Sequence, residues 1–104
     1  MHTVVALPSR AQLRRFVRQV LCERDRLELE STPFFESLIW RSGKTCGLYY
    51  EIQGPRLLRA FAVWAGEEHR ILFYDSIGQR FDEIHLSDEP DPTRLDLANP
   101  QAAA

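Results

Sequence analysis

Residues 34–87 read FFESLIWRSGKTCGLYYEIQGPRLLRAFAVWAGEEHRILFYDSIGQRFDEIHLS, a pattern that indicates a run of β-strands. Aromatic and β-branched residues, which favour strands, are interrupted at short intervals by glycine-containing turns. The strands are predicted near 34–41, 45–53, 56–65, 70–75 and 79–86. Because the connections between them are too short for parallel crossovers, we expect an antiparallel meander of about five strands.

A helix is predicted before this region, over residues 9–26. Its apolar side chains recur at intervals of three and four residues, which is typical of an amphipathic helix with one core-facing stripe. These side chains are Leu13, Phe16, Val17, Val20 and Leu21. Ser9 is a suitable N-cap, and Pro33 limits how far the helix could extend. The predicted fold is therefore α+β, with one N-terminal amphipathic helix packed on the sheet.

The chain length of 104 residues indicates a single domain. We assign residues 1–8 to a lead-in and residues 9–87 to the α+β domain. From Ser87 onward the sequence becomes acidic and proline-containing, and it ends in three alanines. Residues 88–104 are therefore predicted to form a flexible acidic C-terminal tail.

The composition narrows the function classes. Hydrophobic residues make up 44% and charged residues 27%, with a formal net charge of −2, so no strong field favours nucleic acid or an anionic membrane. No apolar run reaches the roughly 18 residues of a membrane span, and residues 1–8 lack a signal-peptide pattern. We therefore expect a cytoplasmic protein with reduced thiols, in which Cys22 and Cys46 form no disulfide.

The predicted turns set a strand register, and the register decides which side chains share a face. Two-residue turns at 42–43 and 54–55 place Trp40 opposite Thr45 and Tyr50 opposite Arg59. One face then has small residues at its centre and large ones around them, which suits it to receive the helix. Its members are Phe34, Leu38, Trp40, Gly47, Tyr49, Leu58, Ala60, Ala62, Trp64, Ile71, Phe73 and Phe81.

The second face of the predicted sheet also carries many apolar side chains. They are Phe35, Ile39, Cys46, Leu48, Ile52, Leu57, Phe61, Val63 and Leu72. Such a set exposes on the order of several hundred Å², near the largest patch usual on a monomer. Because one helix covers one face, we expect a second copy, another protein, a ligand, or residues 1–8 or 87–104 to cover the other. The leading interpretation is a non-catalytic interaction or assembly domain, homodimeric through this face.

The second face also offers a candidate binding site. Tyr50, Arg59, Tyr74 and Arg80 are predicted to lie on it, together with Asp82. Guanidinium groups pair with anions and, like phenol rings, take part in stacking, so this set suits an anionic or planar ligand. The alternative function is therefore a sensor of such a small ligand, and no cofactor is predicted.

Arg10, Arg14 and Arg18 are spaced by four residues and form one stripe on the predicted helix. Their charges oppose the helix dipole, and like charges at this spacing cost about 0.2–0.5 kcal/mol per pair. The stripe is a candidate contact for an acidic partner surface or, less favoured, for nucleic acid. The simpler interpretation, which we prefer, is a solvated face paired with acidic side chains elsewhere in the chain.

Two further motifs have plain structural explanations. Residues 41–45, Arg-Ser-Gly-Lys-Thr, end like a phosphate-binding P-loop, but Leu38 stands where that loop needs glycine, and a strand follows instead of a helix. We interpret them as a hairpin turn with a solvated lysine. Trp40, Tyr49 and Trp64 would suit stacking on a base or ring, but aromatic residues on strands usually belong to the core, and we assign them there.

The sequence carries no catalytic or metal-binding signature. His85 and Glu83 share a face of the last predicted strand without a third metal ligand, and His69 lies in a polar loop. Asp75, Asp82 and Glu83 lie near the last hairpin and would act as an acid–base pair only in a closed pocket. We therefore predict no metal site and no catalytic residues, and we lean against an enzyme.

Overall fold

The computed structural model describes residues 3–95. Its elements are β1 (Thr3–Ala6), α1 (Arg10–Arg24), β2 (Phe34–Arg41), β3 (Lys44–Gln53), β4 (Arg59–Ala65), β5 (Arg70–Tyr74) and β6 (Arg80–Asp88), with short 3₁₀ helices at Gly66–Glu68 and Pro92–Arg94. The helix packs on one face of the sheet, which confirms the predicted α+β fold. Within residues 3–95 no helix is long and apolar enough to cross a membrane.

Helix α1 begins where the sequence predicts. The Ser9 hydroxyl accepts a hydrogen bond from the Gln12 N–H at 3.1 Å, and the Gln12 side chain accepts one from the Ser9 N–H at 3.1 Å. This capping box satisfies two donors that the start of a helix otherwise leaves unpaired. Leu13, Val17 and Leu21 are fully buried, as the predicted apolar stripe requires.

The sheet has six strands in the order β1-β6-β5-β4-β3-β2. Strands β2 to β6 form the predicted antiparallel meander, but β1 adds a sixth strand, parallel to β6. The prediction of a purely antiparallel sheet missed it because the argument from short connections applies only to consecutive strands. The rest of the domain separates β1 from β6, and this length easily allows a parallel pairing.

The first departure from the predicted register is in the hairpin of β2 and β3. Trp40 lies opposite Thr45 as predicted, but a bulge next to this pair places Ile39 opposite Gly47. A bulge adds one residue to one strand, and a shift by one residue moves side chains to the other face. The rest of β3 is therefore turned over relative to the prediction.

The second departure is in the loop between β3 and β4. Tyr50 lies opposite Ala62, three positions beyond the predicted partner Arg59, so that prediction is wrong. The loop is longer than a two-residue turn and holds Arg56 and Leu57 in the left-handed region, at φ 59° and 63°. An odd shift turns the following strand over again, so β4 and β5 keep their predicted faces while β3 is inverted. A third shift, between β5 and β6, places Asp82 opposite the buried Phe73, so the prediction of Asp82 on the second face is also wrong.

The core lies between α1 and the sheet. Its fully buried sheet residues are Leu48, Tyr50, Ile52, Ala60, Ala62, Trp64, Ile71 and Phe73. Gly47 and Tyr49 were predicted on this face and Leu48 and Ile52 on the other, and both assignments are wrong because β3 is inverted. Leu57, also predicted on the second face, lies in a loop and is 86% exposed.

The first residues of the predicted tail pack against the domain. Strand β6 continues to Asp88, the Thr45 hydroxyl donates to the Pro92 carbonyl at 2.7 Å, and Leu95 is buried. Gly66 permits this approach, because a Cβ there would lie 2.3 Å from the Pro92 Cβ. The remainder of the predicted tail, residues 96–104, lies outside the described residues.

Candidate interaction surfaces

The side of the sheet opposite α1 is called the open face here. Alternation along the strands places on it Phe35, Ser37 and Ile39 of β2, Tyr49 and Glu51 of β3, Arg59, Phe61 and Val63 of β4, Arg70, Leu72 and Tyr74 of β5, and Arg80, Glu83 and His85 of β6. Most of these side chains are partly buried by one another, and Phe35 is 48% exposed. The face is therefore apolar along its middle and charged at its ends.

Three rings, Tyr49, Phe61 and Tyr74, form an aromatic ladder across the middle of the open face. Phe61 and Tyr74 are direct cross-strand partners, with ring centroids 4.8 Å apart and planes 12° from parallel. Tyr49 lies diagonally from Phe61, at 5.7 Å. The Arg80 guanidinium continues the stack, 5.6 Å from the Tyr74 ring centroid. Stacked rings of this kind typically add about 0.5–1.5 kcal/mol beyond their burial, so the ladder is a rigid apolar ridge.

One end of the ladder is held by a short polar chain on β3. The Tyr49 hydroxyl donates to Glu51 at 2.8 Å, and the Gln53 amide donates to Glu51 at 3.0 Å. Burial and this bond to a carboxylate raise the pKa of Tyr49 to about 12. The hydrogen bonds from Gln53 and Tyr49 lower the pKa of Glu51. Tyr49 therefore stays a neutral phenol and Glu51 a carboxylate at neutral pH.

The other end of the open face carries a charge cluster centred on Glu83. Arg70 donates to Glu83 at 3.0 Å, Arg80 lies 3.5 Å from it, and the His85 ring lies 3.0 Å from it. Arg70 also donates to Glu68 at 2.7 Å. The hydrogen bond from Arg70 lowers the pKa of Glu83. Because these charges pair within the domain, the cluster leaves little net charge to attract a small anion.

The four residues predicted as a ligand site do not lie together. Tyr50 is fully buried beneath the helix, where its ring stacks on Phe34 at 5.5 Å, so it does not share a face with the other three. Tyr74 and Arg80 are in contact, and the guanidinium donates to the phenol oxygen at 3.3 Å. Arg59 lies on the open face at the start of β4. Tyr49 takes the place predicted for its neighbour, and sequence reasoning missed it because the bulge before it leaves no clear signal.

The predicted aromatic platform is also divided by the structure. Trp64 is fully buried, as the core assignment predicts, and its indole donates to Glu89 at 2.7 Å. Tyr49 lies on the open face instead, and Trp40 is 54% exposed. Glu89 also pairs with His69, so this glutamate fastens the end of β6 to the core. The three rings therefore offer no common stacking surface.

The arginine stripe of Arg10, Arg14 and Arg18 contacts the first part of strand β2. Arg10 pairs with Glu36 at 3.1 Å and donates to the Leu95 carbonyl at 3.1 Å. Arg14 lies 3.8 Å from the same carboxylate, and the Arg18 guanidinium lies 5.6 Å from the Phe34 ring centroid. Arg10 thus pairs with an acidic side chain of the chain itself and is largely buried. Arg14 retains 42% of its side-chain exposure, so the stripe still presents positive charge to solvent.

The remaining candidates serve turns. The residues of the P-loop-like motif form a tight hairpin, with Ser42 and Gly43 in the left-handed region at φ 52° and 79°. The Asp75 carboxylate accepts hydrogen bonds from the Ile77 and Gln79 N–H groups, as turn chemistry predicts. Within residues 3–95, no three histidine, cysteine or acidic side chains converge as metal ligands would.

Comparisons of the chain with protein-family models, with curated proteins and with solved structures find no match. Two surfaces of the domain are candidates for binding: the open face with its aromatic ladder, and the outer edge of β2 beside the arginine stripe.

Proposed function

We propose that the chain is a non-catalytic interaction domain that forms a homodimer through its open face. The observation that carries the proposal is the aromatic ladder of Tyr49, Phe61 and Tyr74, a rigid apolar ridge over which no described element packs. Tyrosine and phenylalanine are enriched at the centres of protein interfaces, whereas paired charges are typical of their rims. The open face has this arrangement, with Glu51 and Glu83 at its ends.

The area of the open face suits a modest dimer. Six strands at a spacing of about 4.8 Å and a length of about 20 Å span on the order of 500–600 Å². Standard interfaces bury about 800 Å² per partner, and the smaller ones about 600 Å². We therefore expect a weak association that depends on protein concentration.

The path of the C-terminal segment supports a second chain, rather than the chain's own tail, as the occupant. Leu95, the last described residue, is buried in the core cluster on the helix side, and its carbonyl is held by Arg10. The described chain therefore ends on the side of the sheet opposite the open face. At the other terminus, β1 is already used as a sheet strand and does not lie over the face.

Self-association is also compatible with the charges of the open face. It carries Arg59 and Arg80 as well as Glu51 and Glu83, so two copies related by a two-fold axis need not bring like charges together. The small-ligand alternative has less support, because Tyr50 is buried and Arg80 is engaged with Tyr74. Both cysteines are free thiols, which supports a reducing, cytoplasmic setting for the association.

Phe61→Glu tests the proposal, because it places a carboxylate in the middle of the ladder, where a dimer would have to desolvate it. We expect the dissociation constant of the dimer to rise at least about tenfold. Sedimentation velocity and light scattering over a concentration series measure it. The matched control is Leu57→Glu, the same kind of change at an 86% exposed loop position off the face.

The control variant should associate like the unmodified chain, and circular dichroism checks that both variants remain folded. A strict monomer up to the highest soluble concentration would contradict the proposal. If the folded Phe61→Glu variant associates as the unmodified chain does, the open face is not the dimer interface and the proposal is wrong.

A further inference from the structure

Strand β2 is a long strand with a free edge. It ends the sheet order, and among residues 3–95 its backbone pairs with β3 alone, so its other side presents unpaired N–H and C=O groups along eight residues. Free edges of this length invite the addition of another strand, and proteins usually shorten or cover them. The outer N–H and C=O groups of β2 can therefore form hydrogen bonds with a further strand.

The arginine stripe is the second feature of this edge. Arg10 and Arg14 approach Glu36, and the Arg18 guanidinium lies over the Phe34 ring, so the stripe reaches the first part of β2. A depression of about 330 Å³ beside the stripe is lined by Ala11, Arg14, Arg15, Arg18, Leu29 and Glu30. Arg15 is exposed, and the buried Nε atoms of Arg14 and Arg18 have no hydrogen-bond partner. A strand added to β2 would run below these guanidinium groups.

We propose that the free edge of β2 binds an extended acidic peptide of another protein as an additional strand. Strand residues alternate between the two faces of a sheet, so every second residue of this peptide points to the helix side. There, acidic side chains meet Arg14, Arg15 and Arg18 and form charge-assisted hydrogen bonds. The intervening residues lie beside Phe35 and Ile39 on the open face and are apolar. The expected sequence is thus an alternation of acidic and apolar residues.

The same charges argue against a second copy of this chain at the β2 edge. Two β2 strands paired about a two-fold axis would continue the sheet and place the two α1 helices side by side. Arg14, Arg15 and Arg18 of one copy would then face the same residues of the other, and like charges across an interface are unfavourable. Glu36 cannot offset this repulsion, because Arg10 already neutralises it within the domain.

A fluorescein-labelled peptide of eight alternating glutamate and valine residues is a suitable probe, since it matches the length of β2. Its control has the same composition in two blocks, which abolishes the alternation. Two further peptides carry N-methyl groups, one on all glutamates and one on all valines. In an extended strand the N–H groups of alternate residues point to opposite edges, so only one of these two peptides has the hydrogen bonds to β2 blocked.

Fluorescence anisotropy at low salt should show binding of the alternating peptide. Only one N-methylated peptide should lose affinity, at least about tenfold, and the block peptide should bind more weakly. Arg14→Gln combined with Arg15→Gln should weaken binding about tenfold, and added salt should weaken it further. The control is Arg56→Gln, which removes one guanidinium group at an exposed position in the β3–β4 loop and should leave affinity unchanged.

Equal binding of both N-methylated peptides would overturn the proposal, because it indicates attraction by charge without strand addition. Absence of binding by the alternating peptide would overturn it as well. Protection of the outward-pointing β2 amides from hydrogen exchange in the peptide-free protein would show that a second copy already occupies the edge. This result would also overturn the proposal. The Phe61→Glu variant separates this site from the open face, because its loss of self-association should leave peptide affinity unchanged.

Discussion

At the scale of single residues, Gly47 is the glycine of residues 3–95 at which a side chain would have the least room. A Cβ at this position would lie 2.1 Å from the carbonyl oxygen of Trp64, on the neighbouring strand. Real Cβ atoms do not approach a backbone atom so closely, so any side chain would separate β3 from β4 next to the bulge. Because the bulge turns β3 over, Gly47 indirectly helps to bring Tyr49 to the open face and Tyr50 to the core.

Gly47→Ala should therefore destabilise the fold strongly. We expect the free energy of unfolding to fall by about 2–3 kcal/mol, the range for overpacking against atoms that cannot move away. Gly78→Ala is the control, because nothing lies within 4 Å of its Cβ and only its φ of +83° is unfavourable, at about 1 kcal/mol. Urea denaturation followed by tryptophan fluorescence measures both, and equal losses would contradict the steric explanation.

At the scale of elements, the loop between β3 and β4 decides which face each side chain of these strands occupies. The loop leaves Tyr50 opposite Ala62 and holds Arg56 and Leu57 at positive φ. Such a conformation costs a non-glycine residue about 1–2 kcal/mol, which the surrounding pairing must offset. A two-residue turn at Gly54-Pro55 would have avoided this cost, but it would have changed the pairing of both strands.

Leu57→Gly should consequently stabilise the protein, although it removes a large apolar side chain. Leu57 is 86% exposed at φ 63°, so glycine relieves the strain and loses little burial. After the greater chain entropy of glycine is counted, we expect a gain of about 0.5–1 kcal/mol in unfolding free energy. Thermal and urea unfolding measure it, and Leu58→Gly, at a partly buried neighbour, should instead destabilise. A loss of stability in Leu57→Gly would mean that the loop is not strained.

At the scale of the whole molecule, residues 3–95 form two layers, and α1 packs on one side of the sheet. At both ends of the open face, carboxylates form ion pairs or hydrogen bonds with side chains of the same domain. Glu83 collects Arg70, Arg80 and His85, and Glu51 is bonded by Tyr49 and Gln53. Acid should therefore lower the free energy of unfolding, because it protonates these carboxylates and weakens their ion pairs and hydrogen bonds.

The pH dependence of stability tests this account. The pKa of Glu83 is lowered in the folded state, chiefly by the hydrogen bond from Arg70, from an ordinary value of 4.5. A lowered pKa contributes stability above the unfolded value that is lost as the pH falls through the folded value. The free energy of unfolding should thus decline below about pH 4.5. In the Glu83→Gln variant it should decline less steeply, because this carboxylate is absent.

Urea denaturation at a series of pH values measures these slopes. Glu30→Gln is the matched control, an exposed glutamate that forms no ion pair among residues 3–95, and its slope should equal that of the unmodified chain. If the slope of unfolding free energy against pH is unchanged in Glu83→Gln, the Glu83 carboxylate does not cause the acid sensitivity.

Local sequence patterns predict the helix, its Ser9 cap and the strands β2 to β6, because these elements depend on the periodicity and turn residues of neighbouring positions. The same patterns indicate an uncovered second face, since one helix cannot cover two. Which residues form that face depends on the strand register of the folded domain. A bulge of one residue and a loop with two positive φ values inverted β3, exchanging Tyr50 for Tyr49. Such shifts, like the pairing of β1 with β6, depend on contacts between distant residues, which local patterns do not encode.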